Sequence, residues 1–592
     1  MSKKERIKFI LIWLFIGVLP LLIRPLWQPD EGRYAEIPRE MLFRSDWLTP
    51  YLNGVLYFEK PPFQYWLSAI SMKLFGESAF VVRLPLAIAT LLTMYAVWRL
   101  SKRLGSPWPL WASFAVVSCL LMYSCGQILT LDALFSALSI FSLAAVVEAV
   151  SLRYYESSKK QITGWTLVAF ISAGCALLTK GPAVVVLVGG SLFFSIFFAW
   201  KDVRLRSAFF RTIFSPYGLA VFAIITVPWF VMVNMANPGH AHFFFYTEHI
   251  ERFTTHNHAR QGSNNAFLDK LYFVPVILLG LLPWLSASFV GMKRAIKFVG
   301  KLMGPITTDA SLNKWVVVLL MASFAWPLLF FSASGSKLIP YVLPCIAPII
   351  VLAYSFESEM DGYKPFKRSG VELLALGTVF LLSAGVLLFS SKFSAHPARW
   401  VVDLQGAKGG AWILFLGLGF VVIGLWGIRG NGLTSARWMA WHSMMLIILS
   451  FAAQAVNGSR SSINHLIARV PLEQNAQWIS HGSYFQVLPF LVKDRITVVA
   501  GTGELAFGKN RLEPEEQDRW FIEDPNELTK VAWRMQSECP ERPVWALSER
   551  KAWRNLEPEL KDDWEVVDES SPKAVLLRLR RPFGNECEEL AL

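Results

Sequence analysis

Between residues 27 and 66 the chain sets charged side chains among aromatic rings: Asp30, Glu31 and Arg33 in "WQPDEGRYAEIPREM", then Glu59 and Lys60 in "YFEKPPFQYW". A carboxylate can receive a metal or an ammonium, and an ammonium or guanidinium can receive a phosphate. An apolar run near 8–26, long enough to cross a bilayer, comes just before, so these groups belong where membrane meets water. Phosphate carried on a lipid is the natural ligand there. Simpler roles compete. Asp30 and Glu31 could cap and solvate a helix starting near Pro29, with Tyr34, Ile37 and Met41 on its apolar side, Arg33, Glu36 and Glu40 on its polar side, and a kink at Pro38. An aromatic belt accounts for Tyr57, Phe58, Tyr65 and Trp66, but not for a charged pair held beside two prolines.

The elements that must position these groups are membrane helices. Of 592 residues, 54% are hydrophobic and 17% charged, the balance of a polytopic membrane protein. The net charge of +13 falls in short Lys and Arg clusters between apolar runs, as the positive-inside rule expects, and this excludes nucleic acid as the partner. Thirteen apolar runs read as spans, near 8–26, 80–98, 107–124, 133–150, 164–179, 182–200, 216–236, 271–290, 314–332, 339–355, 370–389, 411–428 and 438–456. With the basic N-terminus on the cytoplasmic side, the odd count places the polar tail outside. The first run lacks a small-residue cleavage site and reads as a span, not a signal peptide. The expected fold is therefore a membrane all-α bundle of about 13 transmembrane helices with interfacial helices on the outer side, and a small C-terminal α/β domain. Residues 1–456 form the transmembrane part, with outer loops 27–79 and 237–270, and residues 457–592 the outer domain. In the tail, "RITVVAG", "RPVWALS", "WEVVDE" and "AVLLRLRR" read as strands and "NELTKVAWRMQ" as a helix.

The cysteines show no metal-ligand spacing; Cys539 and Cys587 share the tail and could pair if it is outside the cytosol. Charges in the spans, such as Arg83, Glu148 and Glu372, lie near predicted ends, which weakens the alternative of a lipid-sugar transporter. The outward side also holds Asp132, Lys180, Lys337 and the loop 237–270, which mixes aromatic rings with cations and carries "EHIERF". Asp132 could be another cap, Lys180 could snorkel to the interface, and His249 could be a polar interface residue.

In order along nearly the whole chain, "PDEGRYAEIPREML", "YFEKPPFQYW", "TLDA", "TKGP", "EHIERF", "SGSKLIPYVLP" and "TGELAFGKN" resemble the bacterial lipid A 4-amino-4-deoxy-L-arabinose transferases. These are membrane glycosyltransferases of superfamily C, related to protein O-mannosyltransferases. The resemblance implies an inner-membrane enzyme that takes the sugar from undecaprenyl phosphate and passes it to a lipid A phosphate at the periplasmic face, giving resistance to polymyxin and cationic peptides. It implies Asp30 and Glu31 as the catalytic carboxylates, Asp30 better cast as an orienter or a partner for the donor's amino group than as a base. It implies Glu59 and His249 as ligands of a divalent metal, zinc or manganese, and Lys60, Arg252 and Tyr341 as the holders of undecaprenyl phosphate. Arg33, Tyr34, Tyr57, Asp132, Lys180 and Lys337 form a second tier. The "GTGEL" run around Glu504 resembles a family segment or is a plain turn. Membrane lipids are the other partners, and the chain is expected to act as a monomer. Another superfamily C transferase, with a different sugar or a glycan or protein acceptor, is the alternative among enzymes.

Overall fold

A computed structural model of the protein describes residues 1–251, 266–301, 308–356, 366–393, 409–429, 435–470 and 476–580. Arg252 and Cys587 lie outside the described residues, so the expectations for them go no further. The chain divides into two compact units. The first comprises Met1–Ile23, Glu59–Leu67 and Arg83–Ala455, and the second Arg24–Phe58, Ser68–Val82 and Val456–Leu592. The unit that holds the tail thus also takes in segments that the sequence assigns to the transmembrane part.

The first unit is helical. Among the described residues, six helices are long and apolar enough to cross a membrane, beginning with Ala79–Arg103 and ending with Ala411–Arg429. Two further pairs qualify only when each is taken as one span. Pro109–Ser118 with Leu120–Gln127 bends by 63°, and Phe267–Gly280 with Leu285–Gly300 by 110°. Some of the predicted runs are not continuous α-helices, because apolar content does not report whether the backbone ladder is unbroken. The run at 8–26 is an α-helix Lys3–Ile12, a π-helical stretch Trp13–Val18 and a 3-10 turn Leu19–Leu22. The run at 339–355 begins with a 3-10 segment Ile339–Cys345 that contains Pro340 and Pro344, each lacking an N–H donor.

The span charges Glu148 and Glu372 are used, one in an ion pair and one as a cap. Arg99 Nη2 lies 2.8 Å from Glu148 Oε2. Glu372 accepts the backbone N–H groups of Leu285 and Ser286 at 2.9 and 2.6 Å, which satisfies donors at the start of the helix Leu285–Lys301. Trp111, Trp284 and Trp438 pack together in the interior, Trp111 edge-on to Trp284 with centroids 5.8 Å apart.

In the second unit, β1 (Tyr51–Leu52) and β2 (Val55–Leu56) form an antiparallel hairpin. Its turn, Asn53-Gly54, has φ of 52° and 77°, the sign that a two-residue hairpin turn demands at both positions. The Asn53 amide also donates to the Ile496 carbonyl and accepts from the Ile496 N–H, each at 2.9 Å, fastening the hairpin to the tail. The tail contributes β3 (Gln477–His481), β4 (Thr497–Val499), β5 (Phe521–Ile522), β6 (Val544–Glu549), β7 (Trp564–Asp568) and β8 (Ala574–Leu579) to one sheet, in the order β5-β4-β3-β6-β8-β7. Strands β5, β4, β3 and β6 run parallel; β8 is antiparallel to β6 and β7. The helix Leu528–Glu538 lays Leu528, Val531 and Ala532 against Ile479, Val499 and Leu577 of the sheet. Four of these strands and this helix match the sequence reading; β3 and β5 are additions.

The helix Asp30–Arg44 includes Pro38 without interruption. Its polar side is not solvated, contrary to the amphipathic reading. Glu36, Arg39 and Glu40 are buried together with Tyr34, Ile37 and Met41, so both sides of the helix are covered from Glu31 to Met41. Each buried charge is answered. Arg39 reaches both oxygens of Glu36, at 2.7 and 2.6 Å, and Glu40 accepts from the Gly54 N–H at 3.0 Å and from Arg44 Nε at 3.1 Å. Burial pushes the Glu36 carboxyl up, and the Arg39 guanidinium bound at both its oxygens pulls it back down. Gly32 lets the helix approach the tail, since a Cβ there would lie 2.4 Å from Val487 N.

Candidate functional site

In the first unit, helix ends bring the candidate residues together. Asp132 stands in the first turn of Leu131–Tyr154, and Lys180 is the last residue of Lys159–Lys180. A carboxylate near a helix N-terminus and an ammonium at a C-terminus each complement the helix dipole. The two side chains form an ion pair, and Lys180 Nζ also lies 4.4 Å from the centre of the Tyr341 ring. The Lys180–Asp132 contact replaces the separate roles of cap and snorkelling lysine with one cluster.

His249 joins this cluster through the backbone that follows Lys180. Its Nδ1 is 2.6 Å from the Phe244 carbonyl, its ring also meets the Lys180 carbonyl, and its Nε2 would lie only 2.7 Å from a Cβ on Gly181. Gly181, at φ 85°, therefore serves both the turn and the close approach. Burial pushes the His249 imidazole below its usual range, with neighbouring Lys60 acting in the same direction. Lys60 Nζ donates to its neighbour's backbone, Glu59 O, at 2.7 Å and to Glu248 Oε2 at 3.1 Å. Glu59 itself is half-buried. Lys337 is buried and donates to Asp269 Oδ2 at 2.6 Å and to the Ser334 carbonyl. Sequence reasoning found the lysines but not Glu248 or Asp269. The one signal for Glu248 was its position beside His249 in "EHIERF".

Among the described residues, no group of three or more His, Cys, Asp or Glu side chains is placed to hold a metal ion. His249 Nδ1 faces the Phe244 carbonyl at 2.6 Å, which calls for an N–H donor and leaves Nε2 to carry the lone pair of the neutral ring. Glu59 and His249 alone make an incomplete ligand set, and no chemical step of the transfer runs through a metal. Beside the cluster, a groove of about 440 Å³ opens between helices, lined by Leu177, Pro182, Thr226, Phe230, Asn234 and Phe245 among others. Its walls are mainly apolar, and Leu177 and Pro182 flank Lys180 in the chain.

In the second unit, Asp30 is the first residue of its helix and does not act as the N-cap, which is Pro29. About half of the Asp30 side chain is exposed, and Oδ1 lies 3.7 Å from Arg33 Nη1. Arg33 is buried; its Nη2 pairs with Glu504 Oε2 at 2.6 Å, and its guanidinium stands near the rings of Tyr34 and Tyr57. Glu504 belongs to the short 3-10 turn Gly503–Leu505, and its other oxygen accepts from Gln486 Nε2 at 2.9 Å. The "GTGEL" run is therefore a turn and also the place where a carboxylate meets Arg33. Glu31 is fully enclosed: Arg24 takes both its oxygens, and the Trp27 N–H donates to it at 2.8 Å.

Comparison with known proteins gives three concordant findings. Residues 59–231 match the family model described as dolichyl-phosphate-mannose-protein mannosyltransferase. The undecaprenyl phosphate-alpha-4-amino-4-deoxy-L-arabinose arabinosyl transferase of Aeromonas hydrophila is 32% identical over 426 residues, spanning 69% of this chain and 71% of the relative. The enzyme numbered 1 under the same name in Proteus mirabilis is 29% identical over 535 residues, spanning 87% and 89%. Two crystal structures of ArnT from Cupriavidus metallidurans share the fold over 98% of both chains. The one bound to undecaprenyl phosphate is 24% identical with a TM-score of 0.72, and the apo form 22% identical with 0.73. The chain belongs to the undecaprenyl phosphate-alpha-4-amino-4-deoxy-L-arabinose arabinosyl transferase family of membrane glycosyltransferases.

Proposed function

We propose that the protein transfers 4-amino-4-deoxy-L-arabinose from undecaprenyl phosphate to a phosphate of lipid A at the periplasmic face of a bacterial inner membrane. The observation that carries this reading is the gathering of Lys60, Lys180, Tyr341 and His249 beside an open apolar groove, in a chain of this family. The groove suits an isoprenoid tail and the ammonium groups suit its phosphate. Thirteen crossings with a cytoplasmic N-terminus put residues 237–270 and the tail on the outer side, as the placement of basic clusters supports.

In the transfer, the bond between sugar C1 and the donor phosphate oxygen breaks, and its electron pair leaves with undecaprenyl phosphate. An oxygen of the lipid A phosphate forms the new bond to C1 from the opposite face, which inverts the configuration. Charge grows on the departing phosphate, where Lys60 and Lys180 stabilise it. The acceptor phosphate is already anionic near neutral pH, so no strong base is needed. Asp30 acts as an orienter, its exposed carboxylate able to take the ammonium of the sugar, while Glu31 holds the start of the helix that carries it. The product carries a cationic sugar on a formerly negative phosphate, which weakens binding of polymyxin and other cationic peptides.

A test separates this reading from the transporter. Purified protein in detergent, with no sealed membrane, should form aminoarabinosylated lipid A from the lipid-linked donor. Absence of product under conditions where the donor binds would contradict transfer.

A further inference from the structure

The lysines proposed for lipid phosphate are each occupied by a carboxylate, and the carboxylates differ in what holds them. Asp132, the partner of Lys180, sits on Leu131–Tyr154, a helix with 94% of its most apolar window buried. Glu248, the partner of Lys60, sits on the π-helical stretch His242–Glu251, where Phe245 and Tyr246 are exposed. The second carboxylate of the same outer segment, Asp269, holds Lys337. An ammonium in a site with little solvent access needs an anion beside it, and a carboxylate oxygen offers Lys60 what a phosphate oxygen would. Both side chains of the Lys60–Glu248 pair are largely shielded, at 16% and 13% exposure, so their attraction is weakly screened.

We propose that Glu248 is a built-in competitor for lipid phosphate: it neutralises Lys60 when no lipid is bound and lowers the enzyme's affinity for undecaprenyl phosphate, the product. The inference rests on the reading of Lys60 as a phosphate ligand. Two features make Glu248 the residue that yields. It is carried by a segment with exposed aromatic side chains, and its neighbour His249 is held independently of it by the Phe244 carbonyl and a ring contact with Phe244. When phosphate takes Lys60, Glu248 gains solvent; when product leaves, Glu248 returns and Lys60 is never left as an unpaired charge. Product release is thereby favoured, since undecaprenyl phosphate as a monoester carries more negative charge than the sugar diester and would otherwise bind Lys60 more strongly.

The test measures binding of undecaprenyl phosphate to the full chain in nanodiscs, for the parent, Glu248→Gln, Glu248→Asp and Lys60→Ala. Glu248→Gln keeps an acceptor oxygen and removes the charge. It should bind undecaprenyl phosphate about tenfold more tightly and show stronger product inhibition with a lower kcat, while Glu248→Asp stays near the parent. Unchanged or weaker binding by Glu248→Gln, with Lys60→Ala clearly weakened, would overturn the competitor role and leave Lys60 as a phosphate ligand. Binding by Lys60→Ala equal to that of the parent would overturn both. If Glu248→Gln does not fold, Glu248→Ser in the same assay decides the matter by the same criterion.

Discussion

The cluster around Lys60 and Lys180 and the helix Asp30–Arg44 are both rich in charge, yet they use it in opposite ways. Lys60 and Lys180 each face a carboxylate across a partly accessible pair, with Tyr341 and an apolar groove alongside. In the helix, Glu31 and Glu36 are each gripped at both oxygens by an arginine, and Glu40 is fixed by a turn N–H. A lone ammonium can exchange one anion for another, whereas a carboxylate held by a planar guanidinium cannot be released without stranding two buried charges. The first arrangement suits a ligand that comes and goes. The second suits a scaffold that must stay put, with Asp30 at its accessible end.

The largest effect belongs to the scaffold: Glu36→Ala leaves Arg39 buried beside a cavity and should cost about 3–5 kcal/mol in denaturant unfolding, without a specific loss of donor binding in whatever folded protein remains. A loss of activity at full stability would place Glu36 in the ligand-handling class instead.

Acid should act next on the same unit. His481 is enclosed, its ring nitrogens 2.7 Å from Ser548 Oγ and 3.1 Å from the Pro525 carbonyl, and burial holds it down at about 4 against an ordinary 6.5. The unfolded chain binds a proton there first as pH falls, so stability present above pH 6.5 should drain away toward pH 4, by roughly 3 kcal/mol. Unfolding curves of the parent and His481→Gln across this range check the sign; equal pH slopes would contradict it.

In the exchangeable cluster, Lys60→Ala should lower kcat/KM about a hundredfold with the unfolding transition nearly unchanged, read in a donor-consumption assay. The smallest effect expected is from Glu504→Gln, which keeps the contact with Arg33 but removes its charge. About a tenfold loss of kcat/KM, reduced further in high salt by less than for an exposed pair, would fit a positioning role.

Local signals and long-range pairings were unequally legible in the sequence. Strands β4, β6, β7 and β8 carry runs of Val, Leu and Trp that betray them, whereas β3, "QWISH", lies next to the centre of the sheet with polar residues at three of five positions. Its Ser480 and His481 are buried and bonded by partners far along the chain or across a turn, which no local pattern reveals. The same limit hid Glu36 and Glu40. Their helical spacing says which side of the helix they share, not that both sides are covered. Lys60, Asp132, Lys180, His249 and Tyr341 were recognisable from motifs, but the pairing of Lys180 with Asp132 and of Lys60 with Glu248 depends on contacts 48 and 188 residues apart. The π-helical and 3-10 turns inside apolar runs were not legible, because hydropathy is blind to the ladder.

Sugar transfer to lipid A can be read by mass spectrometry of lipid A from a host that lacks its own transferase but makes the donor. Expression of this chain should add the mass of one aminopentose, and equal expression of Lys60→Ala should add far less of it. Unmodified lipid A with the parent chain correctly inserted in the membrane would contradict the account.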